Sequence, residues 1–313
     1  MTGEVITGIN NIYTVRVLEG GEGRRLCRIR GKVLRSEHAG ERAHNPIAAG
    51  DVVRLEPDPH SPGQAWIAER MSRRSVLLRH NRKSRSPQAI AANADLLVCV
   101  CSMRQPPFRP RFLDRLLVSG HSGGVRPLVF ANKWDLGADE QAEARLADYE
   151  RIGYRVIRGS ARSGAGVAEL RAALGDGTAV FAGQSGVGKS SLLNRLDPAL
   201  RLKVADLSIK YDRGVHTTSG STLVTLADGA RVIDTPGIRE LDLHDMPAAE
   251  LRHFFPELEE PARSCAFASC THTGEAGCAV ELAVEEGRVH PDRYESYTRV
   301  FADLLQRERG RHG

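Results

Sequence analysis

At 313 residues with 41% hydrophobic and 5% aromatic content, the chain can form two or three cored domains, yet no stretch approaches 18 uninterrupted apolar residues, so no membrane span is expected. The N-terminus lacks a basic region followed by an apolar core, and six cysteines in a chain this long do not read as a disulfide framework, so a reducing, cytoplasmic setting is expected. The net charge of +5 is uneven: residues 1–90 hold 16 Lys+Arg against 9 Asp+Glu, and the rest of the chain holds 28 against 30.

Residues 1 to about 70 read as all-β. Tyr13 to Leu18, Arg25 to Ile29 and Asp51 to Leu55 alternate apolar with polar, and Ala65 to Ile67 adds a fourth short strand. Gly20-Gly21, Gly31, Gly50 and Pro62-Gly63 punctuate them. Short strands with few aromatics predict a small OB-type β-barrel. Arg70 to Arg85 holds seven basic residues and no acidic one, which suits a polyanion, nucleic acid ahead of membrane. A solvated basic face has the same composition. With Tyr13 and Trp66 as the scarce aromatics, any RNA contact is expected mostly at phosphate, through Arg and Lys.

From about Ala92 strands alternate with helices, an α/β pattern. Ala94 to Ser102 is a continuous apolar strand, so Cys99 and Cys101 read as core. A helix over Phe112 to Ser119 is followed by a strand over Pro127 to Ala131, which ends at Asn132-Lys133-Trp134-Asp135. In this N-K-x-D sequence the Asp135 carboxylate can accept from guanine N1 and N2, Asn132 can bond the purine edge and the Lys133 stem can cover the ring. A ligand site at the carboxyl end of such a strand is the rule in α/β sheets. The strand Tyr154 to Ile157 leads to Ser160-Ala161, where the Ala161 N–H suits guanine O6.

Thr178 to Ala182 is a short buried strand, and Lys189 to Leu196 is a helix with its apolar face at Leu192, Leu193 and Leu196. Between them lies Gly183-Gln184-Ser185-Gly186-Val187-Gly188-Lys189-Ser190, a G-x-x-x-x-G-K-[ST] loop continuing into Ser191. Such a turn aims backbone N–H groups and a helix N-terminus at phosphate. Lys189 would reach the β- and γ-phosphates and Ser190 would sit on Mg2+. A polar loop, Tyr211 to Thr218, offers Thr217 or Thr218 as a further Mg2+ ligand. Strands near Leu223 to Leu226 and Arg231 to Ile233 lead into Asp234-Thr235-Pro236-Gly237, a D-x-x-G in which Asp234 would hold Mg2+ through water and the Gly237 N–H would sense the γ-phosphate. Many GTPases follow this glycine with glutamine to orient water. Here Ile238 stands there, and His216 in the Thr-rich loop is the candidate substitute. Lys189, His216, Thr217 and Thr218 are therefore the catalytic candidates.

A standard GTPase runs phosphate loop, switch Thr, D-x-x-G, N-K-x-D, S-A. Here N-K-x-D and S-A come first, so the domain is circularly permuted. Near the C-terminus Cys265, Cys270, His272 and Cys278 form C-x4-C-x-H-x5-C, a donor set for tetrahedral Zn2+; from spacing alone, unrelated buried cysteines remain open. These features resemble the RsgA (YjeQ) type of circularly permuted GTPase over nearly the whole chain. The resemblance extends to Ala92-Asn93-Ala94-Asp95, Leu113-Asp114-Arg115, Gly214 to Thr218, Cys278-Ala279-Val280 and Arg293-Tyr294-Glu295-Ser296-Tyr297. It implies one structural Zn2+ per chain on Cys265, Cys270, His272 and Cys278, and Mg2+ with GTP on Ser190, Thr218 and Asp234. It also implies an OB-type barrel over 1–75, a permuted GTPase domain over 76–247 and a helical zinc domain over 248–313. As function it implies a monomeric cytoplasmic enzyme that binds GTP and GDP, engages the small (30S) ribosomal subunit and its 16S rRNA, and assists late maturation of that subunit. The alternatives are a nucleotide-dependent RNA-binding clamp with negligible turnover, and a permuted GTPase serving the large subunit or tRNA, which would lack this zinc spacing.

Overall fold

The computed structural model describes residues 1–9, 11–29, 47–61, 63–81, 86–202, 221–235, 241, 243 and 246–311. The first five strands are β1 (Thr2–Ile9), β2 (Ile12–Glu19), β3 (Arg24–Ile29), β4 (Val52–Pro57) and β5 (Gln64–Arg70). They pair in the order β1-β2-β3-β5-β4, and β4 returns to β1 to close a barrel around Val5, Val15, Val53, Leu55 and Ile67. Only β3 and β5 run parallel. This is the OB-type arrangement expected, with one strand more than the four read from alternation. Register shifts on either side of Gly3 to Val5 break the period of β1, so four consecutive residues, Gly3 to Ile6, are buried.

A hairpin of β6 (Val76–Asn81) and β7 (Ser86–Ala92), not foreseen in the basic run, forms a separate two-stranded sheet. It too carries a register shift, between Leu77 and Leu78. The Ala92-Asn93-Ala94-Asp95 stretch then fastens the barrel to the next domain. Ala92 N–H donates to Ala49 O (2.9 Å), Asn93 Nδ2 to Gly50 O (2.9 Å), and Asp95 Oδ2 accepts from Thr178 N–H (2.7 Å). Gly50 has φ +88°, and a Cβ there would lie 2.2 Å from Ala92 O, so glycine is required at this approach.

The central sheet uses β8 (Leu96–Ser102), β9 (Arg126–Asn132), β10 (Val156–Arg158), β11 (Thr178–Ala182), β12 (Thr222–Thr225) and β13 (Arg231–Asp234) in the order β10-β9-β8-β11-β13-β12. All pairs are parallel except β12 with β13. The helices are α1 (Pro110–Ser122), α2 (Glu140–Arg151), α3 (Val167–Leu174) and α4 (Lys189–Leu196). Both faces of β8 are buried, which explains its unbroken apolar run. Leu97, Cys99 and Cys101 pack with α1 and α2, while Leu96, Val98 and Val100 pack with α3 and α4. Cys99 and Cys101 are core, as expected. β12 also pairs with β1, at Thr222 opposite Thr7, so barrel and central sheet form one run of strands.

A 3-10 segment Ala248–Phe254 leads to α5 (Pro256–Ala262), α6 (Ala279–Glu285) and α7 (Pro291–Arg311). Leu251, Phe255, Leu258, Val280, Tyr297 and Phe301 form their core, and Val118 of α1 joins it, so this unit packs on the α1 side of the sheet. Among the described residues no helix is long and apolar enough to cross a membrane.

Candidate functional site

β11 lies between β8 and β13, and the parallel strands all open toward the same edge. The loop leaving β11 must pass close to its neighbours. A Cβ at Gly183 would lie 2.2 Å from Val100 O, and Gly188 has φ +96° with Asn132 Nδ2 2.4 Å from the place of its Cβ. Side chains at those two positions would push the loop off the sheet. Within the loop Lys189 is 5% exposed, and its ammonium donates to Gly183 O (2.6 Å) and Gln184 O (2.9 Å). Burial lowers its pKa to about 8, with Asp234 acting in the opposite sense. Ser190 lies in the first turn of α4 and is buried, as is Asp234 at the end of β13. Ser191 is half-buried, and Gln184 to Val187 form the turn itself. A buried cation, a helix N-terminus and an adjacent carboxylate can hold a polyphosphate and its divalent ion.

On the other side, the end of β9 is tied to this loop. Asn132 is 1% exposed; its Nδ2 donates to Val187 O (2.7 Å), and its Oδ1 accepts from Ala161 N–H (2.9 Å). Both groups were expected at the purine. In this structure the Asn132 amide joins three loops, with one bond from Nδ2 and one to Oδ1. Lys133, at φ +61°, donates from Nζ to Gly186 O (2.7 Å) and to Gln105 O. Its stem lies across the phosphate loop, with Cε 3.8 Å from the Cβ position of Gly188. Asp135 is exposed on the 3-10 turn Trp134–Leu136, whose Trp134 N–H donates to Gly159 O (2.9 Å). Ser160 is buried, and its Oγ accepts from Arg162 and Ser163 N–H (3.2 Å each), which shapes the S-A turn. The carboxylate left facing solvent is therefore that of Asp135. Gln105 was missed by sequence reasoning because it contributes only a backbone carbonyl. Gly237 and the candidates His216, Thr217 and Thr218 lie outside the described residues.

In the C-terminal unit the donor atoms of Cys265, Cys270, His272 and Cys278 all lie within 4.8 Å of one another. His272 Nδ1 is 3.5 Å from Cys265 Sγ and 3.7 Å from Cys278 Sγ. An ion with bonds of about 2.3 Å in tetrahedral array separates its ligands by about 3.8 Å, so the cluster fits one soft cation. Burial first, and then the neighbouring Cys278 and Cys265 sulfurs, push the Cys270 thiol up to about 12; a bound cation would favour its thiolate. The loop is shaped by groups the spacing did not reveal. Glu275 accepts from the N–H of Thr271 and of Thr273 (2.7 Å each), and Tyr297 Oη donates to Thr271 O (2.7 Å). Burial raises the Glu275 carboxyl, but these hydrogen bonds, that of the Thr271 hydroxyl first, outweigh it and bring it to about 2.

A phosphate loop at the centre of a parallel sheet, with the N-K-x-D, S-A and D-x-x-G segments reached in permuted order, defines a circularly permuted P-loop GTPase. The family model for the RsgA GTPase matches residues 70–244. The small ribosomal subunit biogenesis GTPase RsgA of Chlorobaculum parvum is 39% identical over 310 residues, covering 96% of this chain and 99% of that one. That of Moorella thermoacetica is 37% identical over 310 residues, covering 99% of each. The crystal structure of YjeQ from Thermotoga maritima superposes with TM-score 0.72 at 30% identity, covering 97% of this chain and 98% of that chain. That of YloQ, a circularly permuted GTPase, gives 0.69 at 30% identity, covering 98% and 95%. This chain belongs to the RsgA GTPase family.

Proposed function

We propose that the chain hydrolyses GTP to GDP and phosphate on the small (30S) ribosomal subunit and assists biogenesis of that subunit. The observation that carries this reading is the joining of Asn132, Val187 and Ala161, which assembles a nucleotide site from segments in permuted order within a chain that matches small-subunit GTPases end to end. In it Asp135 selects guanine, Gly183 to Ser191 and Lys189 hold the phosphates, and Ser190, Thr218 and Asp234 hold Mg2+. That ion, when bound, neutralises charge on the β- and γ-phosphates. The Gly237 N–H senses the γ-phosphate, Thr217 is the alternative to Thr218 on Mg2+, and His216 orients the attacking water through a ring nitrogen. His216→Ala should abolish most subunit-stimulated turnover with GTP affinity nearly unchanged; stimulation within about threefold of wild type would assign that role to a ribosomal group.

The three units are taken as 1–75, 76–247 and 248–313. The metal is assigned as Zn2+, because three thiols and one imidazole converge and leave no open position for catalysis. The basic N-terminal part is assigned to 16S rRNA phosphate, and the working form is a cytoplasmic monomer. A clamp with negligible turnover is not favoured, since the relatives the chain matches are named as GTPases. Co-sedimentation with purified small subunits tests the partner. The chain should pellet with them under GTP or a non-hydrolysable analogue and less under GDP; absence from the pellet in all three states would defeat the reading.

A further inference from the structure

The Leu113-Asp114-Arg115 and Arg293-Tyr294-x-x-Tyr297 stretches are absorbed neither by the nucleotide site nor by the metal ligands alone. They meet. Asp114 on α1 has no exposed surface and accepts from Arg293 Nη1 (2.9 Å), from Arg145 Nη2 on α2 (3.4 Å) and from the hydroxyls of Tyr149 and Ser296. Arg293 on α7, likewise without exposed surface, also forks onto Glu257 of α5 (2.6 and 3.1 Å) and lies 4.4 Å over the Phe255 ring. Burial opposes the charge on Arg293, but Asp114 and Glu257 outweigh it and hold the guanidinium firmly protonated. Such a network specifies one docking of two bodies, because any other docking strands a buried charge.

The opposite side of α1 faces the phosphate loop. Phe112, Leu113 and Leu116 line a narrow cleft together with Gln184 and Val187 of the phosphate loop. The segment entering α1 is held there as well, by Lys133 Nζ on Gln105 O and by Pro106, whose Cδ lies 3.7 Å from the Cβ position of Gly186. A single helix therefore separates α7 of the metal-binding unit from the phosphate loop.

We propose that Asp114 is a positioning residue and that the α1–α7 interface couples the metal-binding unit to the phosphate loop, so that subunit-stimulated GTP turnover depends on it, an inference that rests on the function proposed above. Because the buried charges resist sliding, a force on α7 shifts α1, and α1 shifts the loop that holds the phosphates.

Two ion pairs at the rim of the interface make the idea testable away from Asp114: half-buried Arg115 with Asp303 (3.2 Å), and Arg111 with Glu295, which Arg299 also engages (2.6 and 3.0 Å). One variant reverses α1 (Arg111→Glu with Arg115→Glu), another reverses α7 (Glu295→Arg with Asp303→Arg), and a third carries all four changes. Subunit-stimulated turnover should fall about tenfold or more in either double variant and return to within about threefold in the quadruple one. Bound metal, unstimulated turnover, GTP affinity and co-sedimentation should stay near wild type throughout. Asp114→Asn, which removes the central charge, should lose stimulation in the same way. Stimulation intact in the double variants and in Asp114→Asn would overturn the proposal, as would a loss that the quadruple variant does not restore. If co-sedimentation fell in step with turnover, these residues would be subunit contacts and the proposal would again be overturned. A wild-type chain that small subunits do not stimulate would overturn the functional reading itself, and with it this route.

Discussion

Residue by residue, the nucleotide site divides into groups that face outward and groups spent on holding loops. Asp135 is exposed, whereas Asn132 is 1% exposed and bonds Val187 O and the Ala161 N–H. Asp135→Asn turns an acceptor toward guanine N1 and N2 into a donor. It should weaken GTP binding by about 1–3 kcal/mol or more and partly rescue xanthine nucleotides, as titration of both nucleotides would show. Equal GTP and ATP affinity in the wild type would contradict the assignment. Lys189 makes a pH prediction. Its folded pKa, about 8, lies below the usual 10.5, so the nucleotide-free fold binds fewer protons than the unfolded chain between those values and gains stability as pH rises through that window. Phosphates placed against the ammonium restore its charge, so GTP binding at pH 8 should take up about half a proton. Calorimetry in two buffers of different ionisation enthalpy measures this, and zero uptake would remove Lys189 from the phosphate site.

Single elements show why some of the structure was legible and some was not. β11, its loop and α4 match the sequence reading, since a buried five-residue strand, four fixed loop positions and a 3.6-residue apolar face are local signals. The extra barrel strand β1 and the β6–β7 hairpin were missed because register shifts break their alternation, and because basic residues at Arg79 and beyond mask the apolar ones. The role of Asn132 was illegible for another reason: its partners are backbone atoms 55 and 29 positions away, which no spacing rule brings together. The metal loop is intermediate. Its four ligands were readable, but Glu275 and Tyr297, which shape it, became visible only in the fold. Because the ligands knit the loop before α6 to the core formed with Phe255 and Tyr297, Cys270→Ser or chelation should loosen residues 248–313. Limited proteolysis should then cut that unit while GTP affinity remains near normal. A protease-resistant C-terminal unit in metal-free protein would contradict a structural role for the site.

Among the described residues, the barrel, the central sheet and the metal-binding unit are joined by direct contacts. β1 of the barrel pairs with β12 of the central sheet, Asn93 bonds Gly50, and Arg293 bonds Asp114. Permutation moves the chain ends but not the neighbours: β11 still lies between β8 and β13, so the ligand-facing loops still converge at one edge. Basic charge is concentrated at the start of the chain, where residues 1–90 hold 16 Lys+Arg against 9 Asp+Glu. Ile238 after the D-x-x-G supplies no hydrogen bond to water, so the unaided chain should turn over slowly. Phosphate release by the full-length chain, measured with GTP in the absence and presence of purified small subunits, tests the account most directly. A low basal rate that rises about tenfold or more with small subunits, and not with large subunits, is the predicted result. A rate unchanged by small subunits, or raised equally by large ones, would contradict it.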